Sequence, residues 1–583
     1  MSCHLPGSLR RGLGCLIAMV LAGTAACNGP GDPMPEPSPA AADLSFVDVT
    51  REAGLEAFRH VTGAFGKEWF PETVGGGGGF IDYDGDGWMD LVLVGGGVWP
   101  GRDEDPVPAL SLYRNLGDGS FRDVTGATGL EAVHAYGFGV TAADYDNDGD
   151  TDLFLTTLYE NLLFRNDGGV FTEVGAEAGL ADHAAWSTAA LFFDADRDGW
   201  LDLYVGNYVV WSPEKDIWCT MDGETKAYCT PQAYEGVPGR FYHNNGDGTF
   251  REMTRAAGFG NAPGKTLGVT EVDFNRDGWS DLIVANDTQR DLLYVNQGDG
   301  TFVEQGVLSG IAFDENGKAR AGMGIDAGDV DNDGRPTVFI GHFSNQMVGV
   351  YRYLGNDLFI DRAALSRIGH PSLLTLTFGL FLFDADRDGY LDLLLANGHI
   401  AEDIERVQDG IGYRQRAQLF LNRGDGTFVE VTDRAGPAFE QRLVARGAAY
   451  GDYDRDGDLD ILLTENGGRA YLWRNDSPPA SWLRVYLQGT ASNRDAIGAR
   501  IVAVAGPLRM ERRIRTGSSY LSHSELVATF GLGQAARIDS LIVEWPSGRR
   551  EVFSGVSVDQ EVRLLEGTGR LEPLARQPAP DPA

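Results

Sequence analysis

Basic residues are scarce in this chain: 48 Lys and Arg stand against 85 Asp and Glu, a formal charge of −37 over 583 residues. Phosphate backbones are gripped by clustered Lys and Arg, so nucleic acid is excluded as a partner. Cysteine is scarcer still, and beyond residue 27 only Cys219 and Cys229 remain. With no His or further Cys to complete a metal-ligand set, that pair reads as a disulfide across a short loop in an oxidising compartment. Catalytic signatures are missing too: the nine His are scattered, and neither His-Glu-x-x-His nor a Gly-x-Ser-x-Gly elbow occurs. His342 and His399 read first as turn and packing residues, with a catalytic role at a rim as the other reading. The chain is therefore expected to be non-catalytic.

Long apolar stretches are also wanting. The run from Leu13 to Ala26 is too short to cross a membrane comfortably. With Arg10 and Arg11 before it and small residues after it, residues 1–27 read as an export signal. Thr24-Ala25-Ala26-Cys27 resembles a bacterial lipobox, which implies a lipid anchor on Cys27 at the outer membrane or cell surface; cleavage and secretion is the alternative. Residues 28–43, rich in Pro, Gly and Ala, are expected to form a disordered tether, and 569–583 a disordered tail.

What the chain has in excess is Gly, 79 residues, much of it beside Asp or Asn in turn pairs that favour short strands over long helices. The stretch Asp144-Tyr145-Asp146-Asn147-Asp148-Gly149-Asp150-Thr151-Asp152 recurs in close copies beginning at Asp82, Asp194, Asp273, Asp329, Asp384 and Asp452. It reads as a calcium loop: carboxylates at positions 1, 3, 5 and 9 can converge on one hard cation, Gly at 6 permits the sharp turn, and residue 7 can donate its carbonyl. The candidate ligands of the second loop are thus Asp144, Asp146, Asp148, Asp150 and Asp152. The first loop offers Asp82, Asp84, Asp86, Trp88 and Asp90, and the third Asp194, Asp196, Asp198, Trp200 and Asp202. The fourth offers Asp273, Asn275, Asp277, Trp279 and Asp281; the fifth Asp329, Asp331, Asp333 and Arg335. The sixth has Asp384, Asp386, Asp388, Tyr390 and Asp392, and the seventh Asp452, Asp454, Asp456, Asp458 and Asp460. Up to seven Ca²⁺ are expected, with the Asp329 site weakest because Thr337, preceded by Pro336, replaces the position-9 acid. These loops hold 28 of the acidic residues, so seven divalent ions would bring the charge from −37 to about −23.

Around each loop the pattern is that of four short strands. In the second copy Phe138–Ala143 enters the loop, Asp152–Leu155 leaves it, and Asn161–Asn166 and Phe171–Val174 follow. An EF-hand would need a bidentate acid at position 12 and flanking helices, but position 12 is apolar in every copy, from Leu93 and Leu155 to Leu463. The loop therefore sits between strands. With Phe138-Gly139 and Phe378-Gly379 the chain resembles the FG-GAP repeats of integrin α-subunits and the related VCBS repeats, which implies calcium held in β-hairpin loops. Calcium loops, third strands and fourth strands each number seven, but the first fourth-strand signature, Phe46-Val47-Asp48-Val49-Thr50, precedes the first loop and none follows Asn475. The N-terminal strand must then close the last blade, giving an all-β, seven-bladed propeller over residues 44–480. Arg423-Gly424-Asp425 is explained as a hairpin turn of the repeat and not as an adhesion tripeptide.

From Trp482 a different β-rich pattern begins. Asn493-Arg494-Asp495, Gly517-Ser518-Ser519-Tyr520-Leu521-Ser522, Phe530-Gly531-Leu532-Gly533 and Trp545-Pro546-Ser547-Gly548 together resemble the ASPIC/UnbV domain, assigned to residues 481–568. A calcium-type propeller followed by this domain is similar to the cartilage acidic protein family and its bacterial relatives. The resemblance implies a secreted or surface-attached binding protein for an unknown protein or polysaccharide ligand. An envelope assembly factor is the alternative, and an enzyme with a rim site a third reading. Asn493, Arg494 and Asp495 could serve recognition or fix turns. The insertion from Tyr208 to Arg240, with Trp211, Trp218, Tyr228 and Tyr234, could likewise offer a binding surface or pack on the blade beneath it.

Overall fold

The computed structural model describes residues 44–99, 106–181, 184–220, 223–260, 262–314 and 316–574. The expected export signal, Cys27, the tether and residues 575–583 of the expected tail lie outside them.

Each repeat forms one four-stranded antiparallel sheet, and seven such sheets follow one another as blades. Blade 1 is built from Gly78–Ile81, Asp90–Val94, Leu110–Asn115 and Phe121–Asp123; blade 2 from Gly137–Ala143, Asp152–Thr157, Leu162–Asn166 and Phe171–Glu173. Blade 3 comprises Ser187–Phe193, Asp202–Asn207, Arg240–Asn244 and Phe250–Glu252, and blade 4 Thr266–Val272, Asp281–Asn286, Leu292–Asn296 and Phe302–Glu304. Blade 5 comprises Gly322–Gly328, Thr337–His342, Gly349–Gly355 and Leu358–Asp361, and blade 6 Thr377–Phe383, Asp392–Asn397, Gln418–Asn422 and Phe428–Glu430. Blade 7 takes Ala445–Gly451, Asp460–Glu465 and Ala470–Asn475 from the end of the repeat region and Phe46–Asp48 from its start, with Phe46 opposite Asn475. The last blade is thereby completed from both ends of the repeat region, Phe46–Asp48 covering the outer edge of Ala470–Asn475.

Composition explains the order within each blade. First and second strands such as Thr266–Val272 and Asp281–Asn286 are buried along their whole length, covered on both faces by neighbouring blades. The short fourth strands alternate: Phe121 is buried while Arg122 and Asp123 face water. Neighbouring blades share cores, as where Val92 and Leu112 of blade 1 meet Val140 and Leu153 of blade 2. No helix of the described residues is long and apolar enough to cross a membrane.

The C-terminal module is two four-stranded sheets. One orders Ala528–Gly533, Ser481–Gln488, Gln560–Leu565 and Leu571–Pro573; the other Leu508–Arg513, Arg500–Ala505, Arg537–Glu544 and Arg550–Ser557. Leu571–Pro573 falls in the segment expected as a disordered tail, yet it pairs with Gln560–Leu565, Leu571 opposite Leu564. A three-residue edge strand carries no periodic signal, which is why the sequence did not reveal it.

The segment Thr516–Glu525 leaves this module and threads the centre of the propeller. The Ser519 N–H donates to Ile325 O (2.7 Å) and the Ile325 N–H to Ser519 O (3.0 Å) in blade 5. Leu521 O accepts from Val140 N of blade 2, His523 O from Phe80 N of blade 1, and the Glu525 N–H donates to Tyr450 O of blade 7. Blades 3 and 4 join through Thr516 Oγ1, bonded to Phe192, and Gly517 O, which accepts from Thr270 Oγ1. In blade 6, the Phe378 ring meets Tyr520 edge-on at 5.0 Å. The segment thus acts as a plug, satisfying inner-strand backbone groups that a bare channel would leave to water. Residues read as a family signature are the axle of the ring.

The fit is close enough to exclude side chains. A Cβ at Gly77 would lie 1.6 Å from Leu521 O. Gly77→Ala is therefore expected to destabilise the protein by about 3 kcal/mol or more, since a backbone collision must be relieved. A melting temperature equal to that of the parent protein would show that the plug does not occupy the channel in solution.

Candidate metal centres and the interdomain cleft

Each Asp loop joins the first strand of a blade to the second and is shaped by its own carboxylates. In blade 2 the Gly149 N–H donates to Asp144 Oδ2 at 2.9 Å, while Gly149 takes φ of 107°, a conformation an L side chain would strain to adopt. The Asp150 N–H donates to Asp148 Oδ1 at 2.9 Å. Asp152 then anchors the loop from the second strand, its Oδ2 accepting from Tyr145 N (3.1 Å) and its Oδ1 from Asn166 N (2.8 Å).

Asn166 carries the pattern across the blade boundary. Its Nδ2 donates to Thr151 O in its own blade and to Tyr83 O in the loop of blade 1, at 3.0 and 2.7 Å. The same reach into the preceding loop is made by Asn115 to Tyr453 O, Asn244 to Tyr145 O, Asn296 to Ala195 O, Asn422 to Val330 O and Asn475 to Ala385 O. Blade 5 lacks both partners, with Thr337 for the Asp and Tyr353 at the Asn position, opposite Phe359. Its boundary with blade 4 is filled instead by Phe274 against Tyr353 and Phe359, 5.6 and 5.2 Å between ring centres. In the sequence these Asn residues mark the third strand and its turn; their recurrence at the end of that strand in six blades is the signal of a further role.

Five loops bring three potential ligand atoms within 4.8 Å of one another. Four sets are carboxylates from positions 1, 3 and 9: Asp82, Asp84 and Asp90; Asp144, Asp146 and Asp152; Asp384, Asp386 and Asp392; Asp452, Asp454 and Asp460. The fifth set, in blade 3, joins Asp196 and Asp198 to His243, a residue the loop pattern did not include. Position-5 acids such as Asp86, Asp388 and Asp456 turn one oxygen to the backbone N–H two residues on. The fourth and fifth loops gather no such set among the described residues. Asn275 Nδ2 donates to Asp277 Oδ2 at 2.7 Å and Arg513 lies 3.1 Å from Asp273. In blade 5, Arg352 takes Asp331 at 2.7 Å and Asp333 at 3.5 Å. Up to seven sites were expected from sequence, with the Asp329 site weakest; among the described residues five loops gather their ligands, and the loop at Asp273 joins that at Asp329 in gathering none.

The gathered carboxylates fit a divalent cation. Buried oxygens of Asp82, Asp146, Asp384 and Asp454 have no hydrogen-bond partner, a costly state for an acid unless a cation meets it. Burial first, and neighbouring carboxylates second, push Asp144 up to about 7 and Asp194 to about 8, while burial raises Asp152 to about 9. Hard oxygen donors at this spacing suit calcium.

The C-terminal module sits on the face carrying the Asp loops and meets them with arginines. Arg484, fully buried, lies 3.3 Å from Asp452 and pairs with Glu525 (2.7 Å). Arg494 approaches Asp144 at 3.6 Å, while its N–H donates to Asn147 Oδ1 and Asp495 Oδ2 accepts from Asp144 N at 2.7 Å. The Asn493-Arg494-Asp495 motif is therefore clamped on the blade 2 loop. Between the module and blades 4–6 lies a cleft of about 340 Å³, lined by Glu271, Asp273, Asp384, Glu511, Arg512 and Arg513 among others.

On the opposite face, Cys219 and Cys229 form a disulfide and the insertion folds back onto the ring. Trp211 and Tyr234 are buried in an aromatic cluster, Trp211 5.8 Å from Trp69 and Tyr234 stacked on Phe70 at 5.4 Å. Tyr228 donates to the buried Glu72 at 3.0 Å. Of the two roles open to this insertion, these three residues take the packing one; Trp218 alone stays open, 66% exposed. His342 and His399 are buried, with pKa values lowered by burial, and His399 packs its ring 5.3 Å from Phe343.

Two measurements test this construction. Asn166→Ala, which strands two buried carbonyls, is expected to cost about 2–4 kcal/mol in denaturant unfolding. The raised Asp values mean that the calcium-free folded state holds more protons than the unfolded chain, so its stability falls as pH rises from about 4 through about 9. Calcium displaces those protons and binds better as they leave. The rise in melting temperature on adding calcium should then be larger near pH 8 than near pH 5, with each site contributing about 1.4 kcal/mol at tenfold excess over its dissociation constant.

Comparison with known proteins agrees with this architecture. The FG-GAP-like repeat family matches residues 82–155, 144–205, 216–284, 273–340, 329–395 and 410–463, and the ASPIC and UnbV family matches 489–571. Cartilage acidic protein 1 of Homo sapiens is 26% identical over 452 residues, covering 72% of this chain and 61% of that protein. The Mus musculus protein is 25% identical over 460 residues, 73% and 64% of the two chains. This chain thus spans less than two thirds of the length of either relative. Among solved structures, an Agrocybe aegerita lectin described as recognising non-reducing terminal N-acetylglucosamine is 18% identical over 60% of this chain and 77% of its own, at a TM-score of 0.35. YCF48 bound to D1 peptide is 10% identical, covering 76% and 100%, at a TM-score of 0.38. These likenesses are distant, and the propeller is read from its seven sheets.

Proposed function

Because the chain belongs to the FG-GAP-like repeat family and ends in an ASPIC and UnbV domain, we propose that it is a calcium-stabilised, exported binding protein without catalytic activity, for a protein or glycan ligand. The observation that carries the reading is the cleft of about 340 Å³ where Asp loops of blades 4–6 face arginines of the C-terminal module. Clefts of this size between modules are common small-ligand sites, and alternating carboxylates and guanidinium groups suit the hydroxyls and acidic groups of a saccharide or the polar side chains of a peptide. The blade 6 loop, which gathers Asp384, Asp386 and Asp392, holds calcium and so fixes that wall of the cleft. The central channel offers no competing site, since Thr516–Glu525 fills it. Export leaves the protein attached by a lipid on Cys27, or free after cleavage.

The reading predicts retention of the purified protein on an array of polysaccharides and envelope or matrix proteins in calcium, its loss in chelator, and a fall of about tenfold or more for Arg512→Gln, the effect of losing a charged hydrogen bond. Binding unaffected by both chelator and the substitution would overturn it. Specific capture of envelope assembly components through another surface would favour a structural role.

A further inference from the structure

The blade 3 loop differs from the others in the residue that overlooks it. The third strand of most blades ends in the Asn that bonds the preceding loop, and the residue before that Asn stands over the blade's own Asp loop. It is Arg114, Arg165 and Arg474 in blades 1, 2 and 7, Val295 in blade 4, Leu421 in blade 6 and His243 in blade 3. Arg114 shows what this position faces: its guanidinium lies 2.8 Å from Asp84 and 3.2 Å from Asp86. At the same place His243 turns Nδ1 to within 3.0 Å of Asp202 Oδ1 and 3.8 Å of Asp196 Oδ2.

A second observation marks this pocket as a ligand site. Asp194 is only 6% exposed, and its Oδ1 has no hydrogen-bond partner; the buried Oδ1 of Asp196 is likewise unpartnered. Asp194 spends its other oxygen on the Gly199 N–H at 3.2 Å. Asp196 gathers with Asp198 and the His243 ring nitrogen, and Asp194 stands beside Asp196, Asp198 and Asp202.

Nitrogen changes which ion is preferred. Calcium takes 6–8 oxygen ligands at about 2.3–2.6 Å, whereas imidazole suits zinc and other first-row transition ions. We propose that the blade 3 loop holds a divalent first-row transition ion, with zinc as the representative case, through His243 Nδ1 and the carboxylates of Asp196 and Asp198, with Asp194 and Asp202 as the neighbouring acids of the loop. The carboxylate-only loops take calcium. The inference rests on the calcium reading above for the other blades, but not for its own ligand set. A propeller of this kind would then carry two classes of ion, one exchangeable with extracellular calcium and one retained when calcium is withdrawn.

The test uses the purified full chain, stripped with chelator and re-equilibrated in millimolar calcium, then titrated with Co²⁺ and with Zn²⁺. The parent protein should bind one more equivalent than His243→Arg, with a visible Co²⁺ absorption band that calcium does not remove and zinc does. His243→Arg reproduces the residue of blades 1, 2 and 7, so it should fold and keep its calcium-dependent melting temperature. His243→Gln should weaken the extra equivalent by about 100-fold or more, at least what loss of an outer-shell partner costs. Equal Co²⁺ and Zn²⁺ stoichiometry in the parent and both variants overturns the proposal, and identifies His243 as a cationic partner like Arg114. Total metal analysis separates the two readings: calcium bound without a His243-dependent transition ion refutes this one alone, and a His243-dependent ion without calcium refutes the other alone.

Discussion

The ring depends on a relay of two side chains. An Asp that opens the second strand holds both its own loop and the third-strand Asn, and that Asn reaches the loop of the preceding blade, as Asp152 and Asn166 do between blades 2 and 1. Each link places a fully buried amide and carboxylate where unpaired groups would be costly, so the blades cannot slide or rotate independently without breaking charged hydrogen bonds. The relay runs from blade 7 into blade 1 through Asn115 and Tyr453, and from blade 6 into blade 7 through Asn475 and Ala385, so that ring closure uses the same chemistry as every other boundary except that between blades 4 and 5. The metal loops are built on this relay: its Asp is also the position-9 acid, and ion binding and blade registry therefore share an atom.

The C-terminal module then locks what the relay has aligned. Its plug bonds to inner strands around the channel, while Arg484, Arg494 and Arg513 reach position-1 carboxylates in blades 7, 2 and 4. These arginines lie where an ion would also place positive charge. The buried Arg484 guanidinium costs desolvation, and the three contacts together leave few alternative ways to seat the module, which gives the interface specificity more than stability. Asp loops and arginines converge on one face, and the cleft between the modules inherits the charge of both. The opposite face is closed by aromatic packing, with Trp69, Trp99 and Trp211 within 6 Å of one another.

Much of this was legible in the chain because it repeats. Seven copies of one loop, the displaced strand at Phe46 and the apolar position 12 led to a closed seven-bladed propeller, and the structure has that ring with Phe46–Asp48 in blade 7. The Cys219–Cys229 pairing followed from the shortage of other cysteines. Less visible was anything without periodicity. Gly517-Ser518-Ser519-Tyr520 announces no strand, and its role as an axle appears only when Ile325 and Val140 surround it. His243 was hidden by lying on the third strand, 41 positions after Asp202 in a blade lengthened by the insertion.

The sequence by itself determined the unit: which residues form strands, where the acidic loops fall, how many copies there are and which strand closes the last. Those properties depend on side-chain alternation and turn chemistry within a few tens of residues. Only the tertiary structure decided which loops gather their ligands, which are answered by arginine, where a nitrogen joins the acids and what fills the channel. These outcomes depend on contacts between residues hundreds of positions apart, whose distances are set by the ring and not by the spacing of the chain.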